Sequence, residues 1–274
     1  MSTIATNQRI PPLHYVGRVT QLRLFLSEWT KLRSVRSSKW SLFAAFLFTI
    51  ALPAIAATVV SHHWPHMSPH DRADFHPLDA SLAGVQLAQL AIGVLGVLVI
   101  TAEYSTGMIR ATMLAAPRRL PVLWAKGGVY ALVTVVLMTP AVAIAFFVSQ
   151  AILSHRHVDI AFTAAGVPRA VLGAGLYLTV IGLFGLGLGA IIRNTAGGIA
   201  AFAALMFVLP PLTNVLPSSW NAAVSPYVPL QAGEAIMRLH RGNQLAPWTG
   251  LSVLCAYAAV SIAAAAILLR RRDV

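Results

Sequence analysis

Cysteine is almost absent: Cys255 is the single one in 274 residues. That excludes an intrachain disulfide and any cysteine metal cluster. Its place in an apolar run makes a structural thiol the default. Charge is scarce as well. Charged residues make up 10% of the chain, and hydrophobic residues 57%. An ordinary soluble domain carries about 25% charged residues, so composition alone points to a membrane protein, with a mean hydropathy of +0.73. Acidic residues are the rarer sign, eight against twenty Lys and Arg. In a soluble chain the net charge of +12 would raise nucleic acid as a partner. Here the basic residues flank apolar runs and no basic–aromatic repeat occurs, so nucleic acid is set aside. The excess reads as topology signals facing anionic membrane lipid.

Catalytic signatures are missing too. There is no Gly-x-x-x-x-Gly-Lys-Ser/Thr loop to cradle ATP phosphates. There is no Gly-x-Ser-x-Gly elbow and no His-Glu-x-x-His pair. An enzyme reading has nothing to rest on. Residues 1–39 are too long and polar for a signal peptide, so the first apolar run is expected to remain as a span.

What is present is a series of apolar runs. Six are long enough for about 30 Å of hydrocarbon, which takes roughly 20 residues: 41–60, 80–101, 128–150, 170–192, 196–216 and 249–269. None has a Lys, Arg, Asp or Glu in its interior, and that absence argues against a self-powered ion-coupled carrier. The expected fold is all-α and membrane-integral: a tail over 1–17, an amphipathic interfacial helix over 18–39, and a six-span domain over 40–274. With the N-terminus inside, the inner segments hold fifteen of the twenty basic residues and the outer ones five, so both ends are expected in the cytoplasm. In the interfacial segment Val19, Leu22, Phe25, Leu26, Trp29 and Leu32 line one face. Gly185 and Gly189 form a small-xxx-small pair, which predicts close packing of the fourth span on another helix.

Polar side chains inside the spans are few. Gln86 and Gln89 are three apart and share a face; with Asn214 in the fifth span they are candidates for a substrate pathway or for bonds between helices. Beyond the fifth span, Ala232, Ala235, Ile236 and Leu239 line one face of a short helix, with Glu234 and Arg238 on others. This predicts a helix lying on or dipping into the outer leaflet. The first outer loop holds His62, His63, His66, His70 and His76. His62 and His66 would share a helix face and could ligate zinc or copper. Pro65, Pro69 and Pro77 break any regular helix, which favours a solvated loop without fixed geometry.

The stretch from Glu103 to Arg119, between the second and third spans, is too polar for lipid. Ser105, Thr106 and Gly107 give a helix start signal, Met108, Met113 and Leu114 fall near helical spacing, and Pro117 stops the run. It reads as a short helix on the inner membrane face open to a soluble partner, or as an ordinary amphipathic loop; periodicity leaves both open.

Three stretches carry a family resemblance: Glu28-Trp29-Thr30-Lys31-Leu32-Arg33-Ser34-Val35-Arg36-Ser37; Glu103-Tyr104-Ser105-Thr106-Gly107-Met108-Ile109-Arg110 with Pro117-Arg118-Arg119 and Lys126; and Gly185 to Gly197 through Arg193-Asn194-Thr195. In this order and membrane placement the chain resembles the permease subunit of ABC-2 type (type V) ABC transporters. The resemblance implies that 18–39 is a connecting helix and that 103–119 is a coupling helix. Its ATPase-facing residues would be Glu103, Ser105, Thr106, Gly107, Met108, Arg110, Arg118 and Arg119. It implies re-entrant outer helices before the last span, and a second permease copy or paralogue with a substrate path between facing second and fifth spans. It also implies two ATP-binding subunits holding ATP and Mg, no cofactor on this chain, and residence in a bacterial inner membrane. A self-contained cation carrier built on the outer histidines, and a scaffold without transport, are the competing expectations.

Overall fold

The computed structural model describes residues 20–107, 119–239 and 242–271. No strand occurs among them. Six helical stretches are long and apolar enough to cross a membrane, so the all-α membrane architecture expected from composition holds at that level.

Helix α1 (Gln21–Ser34) opens where the Thr20 hydroxyl accepts the Arg23 N–H, satisfying one of the unpaired amide donors of a first turn. It ends at Val35, whose extended backbone turns the chain into α2 (Arg36–His63). The expected single helix over 18–39 is thus corrected. Residues 36–39 belong to the first spanning helix, because a break at β-branched Val35 separates them from α1. Residues 18 and 19 lie outside the described residues. Leu22, Leu26 and Trp29 are exposed on α1, as an interfacial face requires. Glu28, on the packed side, is buried.

A short 3-10 turn (Trp64–His66) and α3 (Pro69–Ala73) follow. The Arg72 guanidinium donates to the carbonyls of Trp64 and Pro65 and lies 5.7 Å from the Trp64 ring centroid. The loop has a defined shape, against the expectation of none. The remaining spans are α4 (Pro77–Ser105), α5 (Arg119–Ser154), α6 (Val167–Ile192), a composite fifth span, and α11 (Pro247–Arg271). The third span starts nine residues before the apolar run at 128, because Pro121 sits near a helix start, where a missing N–H costs little. Lys126 is therefore inside a helix.

The fifth span is α7 (Thr195–Ala203), a π segment (Ala204–Val208) and α8 (Leu209–Thr213). Pro210 and Pro211 have no N–H to continue an α ladder. The chain widens just before them, and the Leu209 N–H bonds Ala204. Beyond it lie α9 (Ser218–Val224) and α10 (Pro229–Glu234).

Helix α6 is the centre of the bundle. A Cβ on Gly185 would fall 2.3 Å from the Gly93 carbonyl oxygen, and one on Gly96 only 2.1 Å from that of Gly182. The small-xxx-small pair therefore packs on α4, at backbone contact. Tyr130 of α5, fully buried, caps the same region by donating to the Ile92 carbonyl at 2.6 Å. This close packing holds the end of α4 in place.

Candidate functional site

The C-terminal end of α4 gathers most of the charge chemistry of the bundle. Glu103 stands two residues from the helix end and is buried. Its Oε1 accepts from Lys31 of α1 and from Lys126 of α5, both at 2.9 Å. Lys31 also donates to Glu28 Oε1 at 2.7 Å, and Lys126 to Glu28 Oε2 at 2.5 Å. Two carboxylates and two ammonium groups thus close a ring of four ion pairs with no net charge. Three members are deeply buried, with side-chain exposures of 4% for Glu28 and Lys126 and 7% for Glu103; Lys31 is 29% exposed. Charges are kept inside a protein only when paired and hydrogen-bonded in this way. Burial works against the Lys31 charge, but hydrogen bonds and attraction from Glu28 and Glu103 outweigh it and raise its pKa above the ordinary lysine value of 10.5.

The neighbouring residues of α4 extend the junction. The Tyr104 ring lies under the Arg193 guanidinium at 5.3 Å, within cation–π range. Arg193 occupies the left-handed region (φ 58°) in the turn between α6 and α7, and its Nη2 donates to the Leu268 carbonyl of α11. The Thr195 hydroxyl at the start of α7 donates to the Thr101 hydroxyl of α4 at 3.0 Å. Residues 101–104 therefore touch α1, α5, the α6–α7 turn and, through Arg193, α11. A cavity of about 350 Å³ lies beside the ring between α1, α2, α4 and α5.

From this junction the chain leaves through a turn. The Thr106 N–H caps α4 on the Ala102 carbonyl, and Gly107 takes φ +70°, the left-handed region that glycine enters without strain. Ser105, Thr106 and Gly107 are exposed. Met108, Arg110 and Arg118 lie outside the described residues; Arg119 is the first residue of α5. Of the residues expected to face an ATPase, Glu103, which could pair with a basic residue either of a partner or of the connecting helix, points into the bundle and pairs with Lys31 of that helix and with Lys126 of α5. In the sequence Lys31 and Lys126 stand as topology signals and as parts of the stretches that carry the family resemblance, without a partner assigned to either. The acid–base complementarity of Glu28, Lys31, Glu103 and Lys126 was the signal available, but only the fold brings them together.

At the other end of the bundle a second polar chain forms. The Glu234 carboxylate accepts from Gln86 Nε2 at 2.8 Å and from Arg238 at 3.0 Å. Gln86 Oε1 accepts from Gln89 at 2.9 Å, and Gln89 Oε1 accepts from the Tyr177 hydroxyl. Gln86 and Gln89 do share a face and do bond across helices. Asn214 is not in this chain: it is exposed, and its side-chain oxygen accepts from Asn221. Glu234, expected on a different face from the apolar residues of its helix, is buried along with them. The segment folds into the bundle, with Ala232, Glu234, Ala235 and Ile236 buried, because Gly233 lies directly against the Tyr177 ring and Gly250 lets α11 approach the Ala232 carbonyl.

The outer histidines do not converge. His62, His63 and His66 are exposed, with His63 Nδ1 bonded to the Val59 carbonyl of its own helix. Among the described residues no group of three or more His, Cys, Asp or Glu side chains could hold a metal ion. Known families do not extend this picture: no family model matches the chain, and no curated protein matches it.

Proposed function

We propose that the chain is the membrane-spanning permease subunit of an ABC exporter. In this reading it forms the substrate path together with a second permease copy or paralogue, in a bacterial inner membrane with both ends in the cytoplasm. Two separate ATP-binding subunits, which carry the ATP and Mg, dock on the segment after the second span. One observation carries the reading: the residues immediately before that segment, Thr101 to Tyr104, bond or pack against the ends of helices from four other parts of the chain. A push on residues 107–118 enters the bundle at a helix end joined to all of them. The buried ion-pair ring supports α1 as the connecting helix, since it couples the interfacial segment to two spans at once. Gln86, Gln89 and Glu234 supply polar groups along the outer half of the second span, where a substrate path between spans is expected.

The test is Gly107→Trp in proteoliposomes containing the chain and its ATPase. A Cβ added at Gly107 meets nothing within 4 Å among the described residues, so the substitution is aimed at a docked partner. The φ of +70° adds a backbone cost of roughly 1–2 kcal/mol, which Gly107→Asn, tolerant of that region, controls for. ATP hydrolysis that persists while transport is lost in Gly107→Trp, with Gly107→Asn near wild type, is the expected outcome. Unchanged coupling in Gly107→Trp removes the docking claim.

A further inference from the structure

A furrow of about 580 Å³ runs along the lipid-facing side of the bundle between α5, α6 and α11. Its floor is made shallow-sided by Ala259 and Ala263 of α11, and Trp124 of α5 stands at its edge, 59% exposed. Cys255 lines one end and Arg270 the other. The two are fifteen residues apart on one helix, or about 22 Å at 1.5 Å per residue. That is half of the roughly 40–45 Å thickness of a bilayer with its headgroups. The furrow therefore spans one leaflet, from its polar surface to the midplane. Its walls are apolar, and among the described residues the one charged group that lines it is the guanidinium of exposed Arg270. Exposed Arg271 stands next to it. The exposed indole of Trp124 suits the interface between headgroups and chains.

We propose that this furrow is a binding site for one acyl chain of an anionic phospholipid, with the lipid phosphate at Arg270 and the chain end near Cys255. The dimensions match one leaflet, the apolar walls match a chain, and the cation at the mouth matches a phosphodiester carrying a net negative charge. A zwitterionic lipid fits the walls equally but gains less at Arg270. The inference is independent of ATP-driven transport, because it concerns binding alone.

The experiment uses the full chain in nanodiscs of mixed phosphatidylglycerol and phosphatidylcholine. A trace of phosphatidylglycerol or phosphatidylcholine carries a photoreactive diazirine at the chain terminus, and adducts are mapped by peptide mass spectrometry. Adducts from the phosphatidylglycerol probe should concentrate between Cys255 and Ala263, and exceed those from the phosphatidylcholine probe about fivefold, the ratio that one basic residue near an anionic lipid supplies. Arg270→Gln should bring the two probes level. Ala263→Leu, which fills the furrow and leaves Arg270 intact, should abolish the local adducts from both. Adducts spread evenly over the spans, or an unchanged ratio in Arg270→Gln, overturn the proposal. Cys255 is the only thiol in the chain, so a bis-maleimide dimer through it, lost in Ala263→Leu, would show instead that a helix of a second copy fills the furrow, and would equally overturn the lipid assignment.

Discussion

Removing two members of the buried ring of opposite sign should cost clearly less than the sum of removing each alone. Lys126→Met keeps the length of the side chain and deletes its charge. Two short ion pairs vanish, at 2.5 and 2.9 Å, and Glu28 and Glu103 are left sharing only Lys31. The ring then holds a net charge of −1 in a region where the carboxylate side chains are 4% and 7% exposed. Breaking a buried pair from one side destabilises by about 3–5 kcal/mol. With 1 kcal/mol equal to roughly 2–4 °C in Tm for a chain of this order of size, the melting temperature in detergent should fall by roughly 6–20 °C. Glu103→Gln alone leaves +1 in the same place and should also destabilise. The double variant restores neutrality as a Glu28–Lys31 pair. It should therefore melt above the sum of the two losses, with a coupling of about 0.5–3 kcal/mol. Melting followed by circular dichroism for the four proteins completes the cycle. A Lys126→Met loss below about 1 kcal/mol, or strict additivity in the double variant, would show that the ring behaves as a solvated surface cluster and would refute the argument.

Two further outcomes follow from the packing and from Lys31. Gly96→Ala places a methyl 2.1 Å from a backbone oxygen of α6, so α4 and α6 must separate and the folded yield should drop. Gly128→Ala meets only the Phe25 ring edge at 3.6 Å and should be neutral or stabilise by up to about 1 kcal/mol, the helix preference for Ala over Gly; equal effects of the two, measured by size-exclusion yield and melting, would sink the close-packing account. Lys31 has a folded pKa raised above 10.5. Its contribution to stability is thus complete below 10.5 and lost as pH rises through the higher folded value. Wild-type melting should decline in that alkaline window more steeply than Lys31→Met melting, and parallel curves would contradict the pairing.

The spans were legible because apolar length is a local property. Each of the six runs became a helix, and Gly185 and Gly189 announced their close packing by spacing alone. Boundaries were less legible. The third span starts well before its apolar run, where Val122, Leu123, Ala125 and Lys126 are buried in the bundle, which no hydropathy window registers. The ring was the least legible part. Glu28 and Lys126 are 98 residues apart, and each sits in a run of sequence where a lone charge looks like a lipid-facing topology mark. Complementary sign was visible, proximity was not. The partner of Glu234 was hidden for a related reason: its helix shows Ala and Ile on one face, and nothing in that local pattern registers a contact with Gln86 148 residues away.

The kind of contact found at each level of α4 bears on how force could travel. Along its middle, α4 meets α6 through glycines and backbone oxygens. Such a surface is tight, but its contacts are non-directional, and a small slide exchanges one set for another. At its end the strongest contacts are ion pairs in a buried ring, beside one hydroxyl bond and one cation–π contact to the α6–α7 turn. Displacing α4 by even an ångström or two relative to α1 or α5 would leave a carboxylate or an ammonium buried and unmatched, at a cost of several kcal/mol. The low-energy response to a push at Gly107 is for α1, α4 and α5 to move together, with slip where α4 and α5 pack on α6: at the glycine seam of α4 and at the Thr139–Gly175 and Tyr130–Gly182 contacts of α5. The ring thus divides the bundle into a body that follows the segment after the second span and a body that does not. A mechanical claim of this type needs an element with two arrangements, and the seam between α4 and α6 is where the second should be sought. Cysteine pairs introduced across that seam, in a Cys255→Ala background, should cross-link without ATP and lose or shift register when the proposed ATPase partner closes on nucleotide. Pairs introduced between α1 and α5 should cross-link equally in both states. If the α1–α5 pairs separate while the seam pairs stay joined, the ring is a hinge and the division drawn here is reversed.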